Sequence, residues 1–243
     1  MKYPNLNEEK KLWKKGFKYV VGVDEAGRGP LAGPVVAAAV FVKPKTKILI
    51  KGINDSKKLS EKQREEFYEI LTIHPHIKWG IGVVSEKVID KINILEATKL
   101  AMNKAVKNLQ KKLAKEKLIR RTSFPIVDDR QSLGKVDFLI LDGNFKINSA
   151  CLPAGRQKSI VKGDQKVISI AAASIIAKVT RDRLMRKYHK KYPEYGFCFH
   201  KGYPTKAHFA NLKKFGPCKI HRKSFWPVKA YAPSTNFSQF EKN

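Results

Sequence analysis

The sequence predicts an α/β fold, in which helices cover a central sheet. Short apolar runs rich in valine and isoleucine alternate along the chain with longer segments whose apolar residues recur at helical spacing. Several of the apolar runs stop at an acidic residue, and strand ends are where sites assemble in an α/β sheet. A length of 243 residues suffices for one large domain, or for a domain with a small extension.

Five segments have the composition of β-strands. The first two are joined by a turn segment rich in glycine and proline, which predicts that they are antiparallel neighbours. The fourth stops at Asp142, and the fifth stops just before Asp164. We predict strands at residues 17–23, 35–42, 77–84, 136–141 and 159–161.

Helices are predicted between these strands. Ser60 and Gln63 form a capping-box pattern, which favours a helix from about residue 61. Ser85 is a candidate cap for another short helix. The segment 94–118 carries apolar residues at helical spacing with lysines on the opposite side, which predicts a long amphipathic helix.

The last part of the chain changes character after Pro193. Before it, residues 167–188 form a predicted helix whose first half is almost entirely apolar or small, so deep burial is expected. After it, the composition is aromatic, glycine-rich and basic, with a helix predicted from Thr205 to residue 215 and ended by Gly216. We therefore divide the chain into a catalytic core at 17–195, a helical C-terminal extension at 196–235, and tails at 1–16 and 236–243.

The charge of the chain favours a polyanionic partner. Lysine and arginine total 50 against 21 aspartate and glutamate residues, which gives a formal net charge of +29. Such a charge attracts nucleic acid through steering and counterion release. The alternative is that lysine-rich surfaces reflect solubility and genome composition, and charge alone does not decide between the two.

The cysteines predict a reducing compartment. Cys151, Cys198 and Cys218 form no Cys-x-x-Cys pair, and an odd count is a poor disulfide framework. His200 and His221 could join two of them in a zinc site, but the first spacing is too tight for a usual knuckle, and ordinary thiols are favoured. The N-terminus lacks the pattern of a signal peptide and no segment has the pattern of a membrane span, so a cytoplasmic protein with no membrane partner is expected.

Four carboxylates follow predicted strands and are the candidate site. Asp24 and Glu25 end an apolar strand, where they need a counter-charge, most simply a hard divalent cation. Asp142 and Asp164 recur at later strand ends, and four such groups could hold two ions that activate water and neutralise a leaving oxygen. Taken singly, Asp142 could be part of an ordinary Asp-Gly turn, and Asp164 could cap the helix that follows it.

With these motifs in view, the sequence closely resembles the ribonuclease HII family, the type 2 ribonucleases H. The matching motifs occur in family order across most of the chain, and a chance match to all of them is negligible. They are Val21-Gly-Val-Asp-Glu-Ala-Gly-Arg-Gly-Pro-Leu-Ala-Gly-Pro34, Asn54-Asp-Ser-Lys-Lys-Leu-Ser60, Asn93-Ile-Leu-Glu-Ala-Thr98, Leu141-Asp-Gly-Asn144, Val161-Lys-Gly-Asp164, Ala172-Ala-Ser-Ile-Ile-Ala-Lys178, His200-Lys-Gly-Tyr-Pro-Thr205 and His221-Arg-Lys-Ser-Phe225.

The resemblance implies a ribonuclease H-like fold with a mixed five-stranded sheet, helices on both sides and a helical C-terminal segment. It implies an endonuclease that uses Mg²⁺ or Mn²⁺ and cuts RNA in RNA–DNA hybrids. It also implies a cut 5′ to single ribonucleotides in duplex DNA, leaving 3′-hydroxyl and 5′-phosphate ends. The family's metal ligands correspond to Asp24, Glu25, Asp142 and Asp164.

The resemblance also implies how the substrate is read. The family's Gly-Arg-Gly motif corresponds to Gly27, Arg28 and Gly29, and its substrate-sensing tyrosine to Tyr203. Backbone groups can read a 2′-hydroxyl without regard to the base, and a flat aromatic face suits a sugar that lacks this hydroxyl. Without the family, Tyr203 would be read as a packed aromatic in a Gly-Pro loop.

For several residues two interpretations stay open. Arg28 is either a phosphate clamp, which we favour modestly, or an ion-pair partner of Glu25. Lys57, with Lys58, contacts a phosphate or is simply solvated. Asp182 is expected to form a local ion pair beside its neighbouring arginines rather than to bind metal.

Two segments depart from the family pattern. They are apparent insertions near residues 120–133 and 154–157, and the second lies between two proposed ligands. Polar loops tolerate such growth cheaply, so we expect it to bulge outward.

Two rival functions stay open. One is ribonuclease HIII, although the chain lacks room for the extra N-terminal domain of that family. The other is a catalytically silent hybrid-binding module, against which the presence of all four carboxylates argues. A monomer is expected, and the tail after Pro233 shows no defensible sliding-clamp motif.

Overall fold

The computed structural model of the chain describes residues 3–44, 52–53, 55–121, 135–148, 152 and 155–231, with side chains only to residue 115 in the segment that ends at 121. Its centre is one five-stranded sheet with strand order β3-β2-β1-β4-β5. Two antiparallel pairs, β1 with β2 and β2 with β3, are joined to two parallel pairs, β1 with β4 and β4 with β5. The strands are β1 (Val20–Ala26), β2 (Val35–Val42), β3 (Ile77–Val84), β4 (Phe138–Asp142) and β5 (Gln157–Ile160).

The predicted mixed sheet with flanking helices is therefore confirmed, including the antiparallel pairing of its first two strands. β2 and β3 have the predicted bounds, and β4 and β5 differ from them by one or two residues at each end. β1 begins and ends three residues later than predicted, so Asp24 and Glu25 lie within this strand rather than after it. The helices are α1 (Asn7–Lys14), α2 (Glu61–Ile73), α3 (Glu86–Arg121), α4 (Ile168–Lys191), α5 (Phe197–His200), α6 (Lys206–Phe215) and α7 (Val228–Tyr231). Short 3-10 turns lie at Ser56–Lys58, Gly163–Gln165 and Pro193–Tyr195.

The side chains of the sheet alternate between two helical layers, as strand geometry requires. Ala37 and Ala39 of β2 belong to the core on the α3 side, whereas Ala38 and Val40 belong to the core on the α2 and α4 side. Every residue of β2 is buried, so this strand lies at the centre of the molecule. The apolar first half of α4 is likewise buried, as its composition predicts.

Local capping signals decide where the helices start. Ser60 Oγ accepts the N–H of Gln63 at 3.2 Å while the Gln63 side chain accepts the N–H of Ser60 at 2.9 Å, so the predicted capping box is present. Helix α3 is kinked at Asn93, which has a φ of 64° and caps the following turn through its side-chain oxygen. The kink separates the predicted short helix after Ser85 from the longer one.

The N-terminal residues, assigned to a tail from the sequence, include a helix that packs against the core. Leu12 of α1 is buried, and the carboxylate of Glu9 accepts the N–H of Ser169 at 3.0 Å, at the start of α4. Asn5 exchanges backbone hydrogen bonds with Lys166 and Ile168, both at 3.1 Å. This N-terminal segment therefore fastens the chain that leads into α4.

The C-terminal helices pack on the glycine-rich segment that follows β1. Leu31 lies in one cluster with Leu212 and Val228, and Ala32 lies in another with Phe197 and Ile220. A boundary between residues 195 and 196 stays a prediction. Among the described helices, none combines the length and apolar character that a membrane crossing needs.

Candidate active site

Three carboxylates from distant parts of the chain meet at one edge of the sheet. Val23 of β1 is the last residue paired with β4, opposite Leu141, so the next residues, Asp24 and Asp142, lie side by side where the parallel pairing of these strands ends. Asp164 joins them from the 3-10 turn after β5. One oxygen from each lies within 4.8 Å of the others, and we call Asp24, Asp142 and Asp164 the acidic trio.

Backbone hydrogen bonds hold the acidic trio in place. The N–H of Gly163 donates to Asp142 Oδ1 at 2.7 Å, which ties the turn carrying Asp164 to the end of β4. The N–H of Glu25 donates to Asp24 Oδ1 at 2.7 Å. One oxygen of each of these two aspartates is thus engaged by the scaffold, and its side-chain direction is fixed.

Glu25 lies beside the acidic trio but is not part of its close grouping. Its Oε1 is 3.5 Å from Arg28 Nη1. Its Oε2 is buried, and within the described residues it has no hydrogen-bond partner. A buried carboxylate oxygen without a donor is costly, and a bound cation would satisfy it.

The electrostatics of the site disfavour its own negative charge. Burial, and then the charges of Glu25 and Asp142, raise the pKa of Asp24 well above its ordinary value. Burial and the neighbouring Asp142 and Asp55 raise the pKa of Asp164 to about 6. Among the described residues, no lysine or arginine forms a salt bridge with the trio, so a hard divalent cation fits this set of oxygen ligands.

Asp55 is a fifth carboxylate at this edge, and the sequence reading did not select it. It is only 5 % exposed, accepts the N–H of Lys57 at 2.8 Å, and accepts the side-chain amide of Gln165 at 3.3 Å. Asp55 also contributes to the raised pKa of Asp164. Asp55 precedes a helix rather than ending a strand, so the strand-end pattern passes over it. Its place within the motif at 54–60 was the available signal, although Asn54 itself lies outside the described residues.

Lys57 faces the acidic residues although its side chain is exposed. Burial lowers its pKa, but the charges of Asp55, Asp164 and Asp24 outweigh that effect, and the pKa lies above its ordinary value. The ammonium group is therefore within the field of the site. A phosphate contact by Lys57 stays a prediction.

Gly29 of the segment 27–29 lies next to Tyr203. A Cβ placed on Gly29 would stand 3.9 Å from Tyr203 Cε1. Tyr203 is 37 % exposed, so its ring is not a packed core aromatic. Lys178 Nζ and the Arg181 guanidinium lie 5.6 Å and 5.7 Å from the centre of its ring. A surface aromatic flanked by cations beside an open glycine is suited to a nucleic-acid backbone.

A chain of neutral histidines holds the turn that carries Tyr203. Cys218 donates its N–H to His221 Nδ1 at 2.9 Å, which leaves the proton of that ring on Nε2, 3.0 Å from His208 Nε2. His208 then donates from Nδ1 to the carbonyl of Tyr203 at 2.9 Å. Burial lowers the pKa of His208 to about 4 and that of His221 to about 3, so both rings stay uncharged at neutral pH.

The structure also bears on the predictions for Arg28 and Asp182. Arg28 makes the ion pair with Glu25, and its half-exposed side chain also lies 5.6 Å from the Phe145 ring, so a phosphate contact stays open. Asp182 forms a local ion pair, but its partner is Lys178 at 2.8 Å, one helical turn earlier, rather than the flanking arginines.

The predictions about a zinc site and about the two apparent insertions concern residues that the structure describes only in part. Within the described residues, the acidic trio is the only group of three or more potential ligands close enough to share an ion, and Cys198 and Cys218 are not part of it. Cys151, Ala154 and the insertion at 122–133 lie outside the described residues. Gln157, at the end of the second insertion, begins β5.

Comparison with known proteins agrees with this geometry. A sequence profile described as Ribonuclease HII matches residues 21–228, which includes the acidic trio, Glu25, the segment 27–29 and Tyr203. The chain belongs to the ribonuclease HII family. It is therefore a ribonuclease H-type hydrolase, an endonuclease that acts on RNA–DNA hybrids and uses divalent metal ions.

Individual relatives support the same assignment. The chain is 52 % identical over 217 residues to a ribonuclease HII from Chlamydia muridarum, covering 89 % of this chain and 86 % of that protein. The ribonuclease H2 of Pyrococcus horikoshii superposes with a TM-score of 0.58 at 28 % identity, covering 87 % of this chain and 96 % of that one. Bst-RNase HIII in complex with Mn²⁺ superposes with a TM-score of 0.64 at 20 % identity, covering 87 % and 68 %, and this likeness concerns the fold.

Divalent-ion binding by this enzyme is expected to weaken below about pH 6. Metal and proton compete for Asp164, whose pKa is about 6 in the metal-free protein. The affinity should fall about tenfold between about pH 7 and about pH 5 for each proton displaced. Because the pKa is raised, ionisation of Asp164 also destabilises the metal-free fold as pH increases from about 4 through about 6. Calorimetric Mn²⁺ titrations between about pH 5 and about pH 7 test the change in affinity, and an affinity that does not change with pH would contradict it. Thermal melts of the metal-free protein between about pH 4 and about pH 6 test the change in stability.

Proposed function

We propose that this enzyme cuts the phosphodiester bond 5′ to a ribonucleotide, both in RNA–DNA hybrids and where a single ribonucleotide is embedded in duplex DNA. The products are 3′-hydroxyl and 5′-phosphate ends. The observation that carries the proposal is the position of Gly29 beside Tyr203, in the segment that follows β1, the strand that carries Asp24 of the acidic trio. One recognition surface and one acidic site are thereby contributed by a single chain, which is consistent with a monomer.

The acidic trio and Glu25 would hold Mg²⁺ or Mn²⁺, with two ions in the substrate complex. Their burial and mutual repulsion make the ionised carboxylates costly without a cation, and the free Oε2 of Glu25 adds a further oxygen ligand. When bound, such ions activate an attacking water and neutralise the charge that develops on the leaving oxygen. The protein's own part is to fix the carboxylates through the N–H groups of Glu25 and Gly163.

Recognition of the sugar is assigned to the main chain of residues 27–29 and to the ring of Tyr203. The absence of a side chain on Gly29 lets backbone groups approach a 2′-hydroxyl, which is the local mark of ribose, whereas Gly27 leaves room for the buried Arg181. Tyr203 would place its apolar face against the next sugar, where a missing 2′-hydroxyl allows close contact. Together they would select a step from RNA to DNA.

Phosphate contacts are assigned to Lys57 and Arg28. Lys57 already lies in the field of the acidic site, and Arg28 is half exposed beside Glu25. A net charge of +29 supplies sequence-independent attraction for the duplex. Specific phosphate contacts and the general attraction of the duplex are thus assigned to different groups of the protein.

The deciding experiment compares two duplexes, one with a single ribonucleotide and one with an uninterrupted hybrid, in the presence of Mn²⁺ or Mg²⁺. We expect cleavage of both, with a single cut 5′ to the lone ribonucleotide and a 5′-phosphate on the downstream product. Cleavage of the long hybrid alone would indicate a preference of the ribonuclease HIII kind. Binding without cleavage, and with little dependence on divalent ions, would indicate a silent hybrid-binding module.

A further inference from the structure

Two fully buried arginines lie beneath the segment 27–29, and no step described so far uses them. Arg222 and Arg181 each have no exposed surface. Among the described residues neither forms a salt bridge, and each guanidinium instead donates to three main-chain carbonyls. Arg222 donates to Gly33 at 3.0 Å, Arg28 at 3.0 Å and Gly27 at 2.6 Å, whereas Arg181 donates to Pro34 at 2.9 Å, Lys201 at 3.0 Å and Ala32 at 3.0 Å.

A buried cation without a carboxylate partner is costly, so the carbonyl contacts of Arg222 are needed to keep it charged. The planar fork of a guanidinium can meet several acceptors at once in a fixed geometry, which an ammonium group cannot reproduce. Because three carbonyls must meet one rigid guanidinium, these hydrogen bonds fix the direction of the carbonyls as well as the position of the arginine. Two of those carbonyls, of Gly27 and Arg28, belong to the proposed ribose-reading segment.

The direction of these carbonyls fixes the direction of the neighbouring N–H groups. In a planar trans peptide, the C=O of one residue and the N–H of the next point in opposite directions. Since the C=O groups of Gly27 and Arg28 point at Arg222, the N–H groups of Arg28 and Gly29 point away from it. The guanidinium charge also polarises both peptide units, which strengthens those N–H groups as donors.

The position of Arg222 is itself anchored at the start of α3. Asp90 accepts the N–H of Lys223 at 3.0 Å, the N–H of Ser224 at 2.9 Å and the hydroxyl of Ser224 at 2.6 Å. Arg181 braces the other side, because it joins the carbonyls of Ala32 and Pro34 to that of Lys201, two residues before Tyr203. The two arginines thus fix the segment 27–29 and the turn of Tyr203 relative to each other.

We propose that Arg222 is a positioning residue for ribose recognition, which acts by directing the N–H groups of Arg28 and Gly29 toward the 2′-hydroxyl. This inference rests on the proposed function, because it concerns the segment that reads the sugar. Arg222 does not contact the substrate in this scheme. Its contribution is the selectivity for ribose over deoxyribose, while general duplex binding comes from the surface charge.

The test measures binding without divalent ions to two duplexes that are identical except for one ribonucleotide, by fluorescence anisotropy. In Arg222→Lys the charge is kept but the planar fork is lost. We expect the ratio of the two dissociation constants to fall about tenfold, or to one, while the all-DNA value changes less than about twofold. Leu212→Ala is the matched control, because it removes a buried side chain from the same C-terminal region without touching a carbonyl of the segment, and its ratio should equal that of the wild type.

Each remaining outcome decides the proposal. A wild-type ratio retained in folded Arg222→Lys overturns the positioning role and leaves the proposed function intact. If Arg222→Lys is recovered unfolded, Asp90→Ala takes its place: a ratio lowered severalfold supports the role, and an unchanged ratio overturns it. A wild-type enzyme that does not distinguish the two duplexes overturns the proposed function, and the positioning role falls with it.

Discussion

Asp24→Asn is expected to abolish cleavage and, at the same time, to make the metal-free protein more stable. The substitution removes a ligand from the acidic trio, and even residues behind a metal ligand cost 10- to 100-fold when changed, so we expect a loss of about 100-fold or more. Stability should rise because burial and the charges of Glu25 and Asp142 already disfavour ionised Asp24. A gain of about 1 kcal/mol would raise the Tm by ~2–4 °C.

The pH dependence of this gain has a definite sign. Since the pKa of Asp24 is raised in the folded state, its ionisation weakens the fold above the unfolded pKa of about 4, and the asparagine variant escapes that loss. The advantage of the variant should therefore be present at neutral pH without divalent ions and disappear below about pH 4. Thermal melts with and without Mn²⁺ measure it, and the metal should stabilise the wild type more than the variant.

Asp137→Asn is the matched control. Asp137 lies at the opposite end of β4 and accepts the N–H groups of Lys18 and Tyr19, both at 2.8 Å. Its substitution should lower stability slightly and leave cleavage unchanged. Full activity in Asp24→Asn would exclude the acidic trio as the catalytic site, whatever the melts show.

The two glycines of the segment 27–29 should respond to alanine in opposite ways. Gly27 has a φ of +99°, and an added Cβ would stand 2.1 Å from Arg181 Nε and 2.8 Å from the carbonyl of Pro34. Strain and overpacking together should destabilise Gly27→Ala by about 2 to 6 kcal/mol. Chemical denaturation measures this loss.

Gly29→Ala should instead fold normally and lose activity. Its added methyl group would meet only Tyr203 Cε1, at the ordinary contact distance of 3.9 Å, so stability should change by less than about 1 kcal/mol. The methyl group would occupy the space where the sugar is proposed to approach, and displacement of the substrate by about 1 Å can cost about 100-fold in rate. We expect kcat/KM on a single ribonucleotide to fall by about that factor.

Gly16→Ala separates backbone strain from crowding. Gly16 has a φ of +89° and no atom within 4 Å of an added Cβ, so this variant carries strain alone. It should lose about 1 kcal/mol of stability and keep full activity.

A wild-type kcat/KM in Gly29→Ala would contradict the close approach of sugar and main chain beside Tyr203.

Much of the fold could be predicted because its signals are local. The Ser60 capping box, the Thr205 cap and the apolar run of β2 depend on residues close in sequence, and the structure contains each of them. The acidic residues at strand ends were found for the same reason, since sheet geometry brings such ends together. Local signals do not establish the mixed strand order, because β1 and β4 pair although they are far apart in the sequence.

What the sequence could not provide were contacts between remote parts of the chain. Asp55 belongs to the site because its side chain meets Gln165 in the turn of Asp164, and the strand-end pattern does not mark it. Arg222 reads as one basic residue among many until its three carbonyl partners are seen. Likewise, a lysine-rich N-terminal segment carries no sign that Glu9 will reach the start of α4.

The side-by-side placement of Asp24 and Asp142 has a consequence for the newly made polypeptide. β1 is synthesised early, but its parallel neighbour β4 and the turn of Asp164 leave the ribosome more than a hundred residues later. An incomplete chain already carries many lysines, which favour attraction to nucleic acid, but it lacks Asp142 and Asp164, two of the carboxylates to which we assign cleavage. On the proposed function, the acidic trio is complete only after residue 164 has been synthesised.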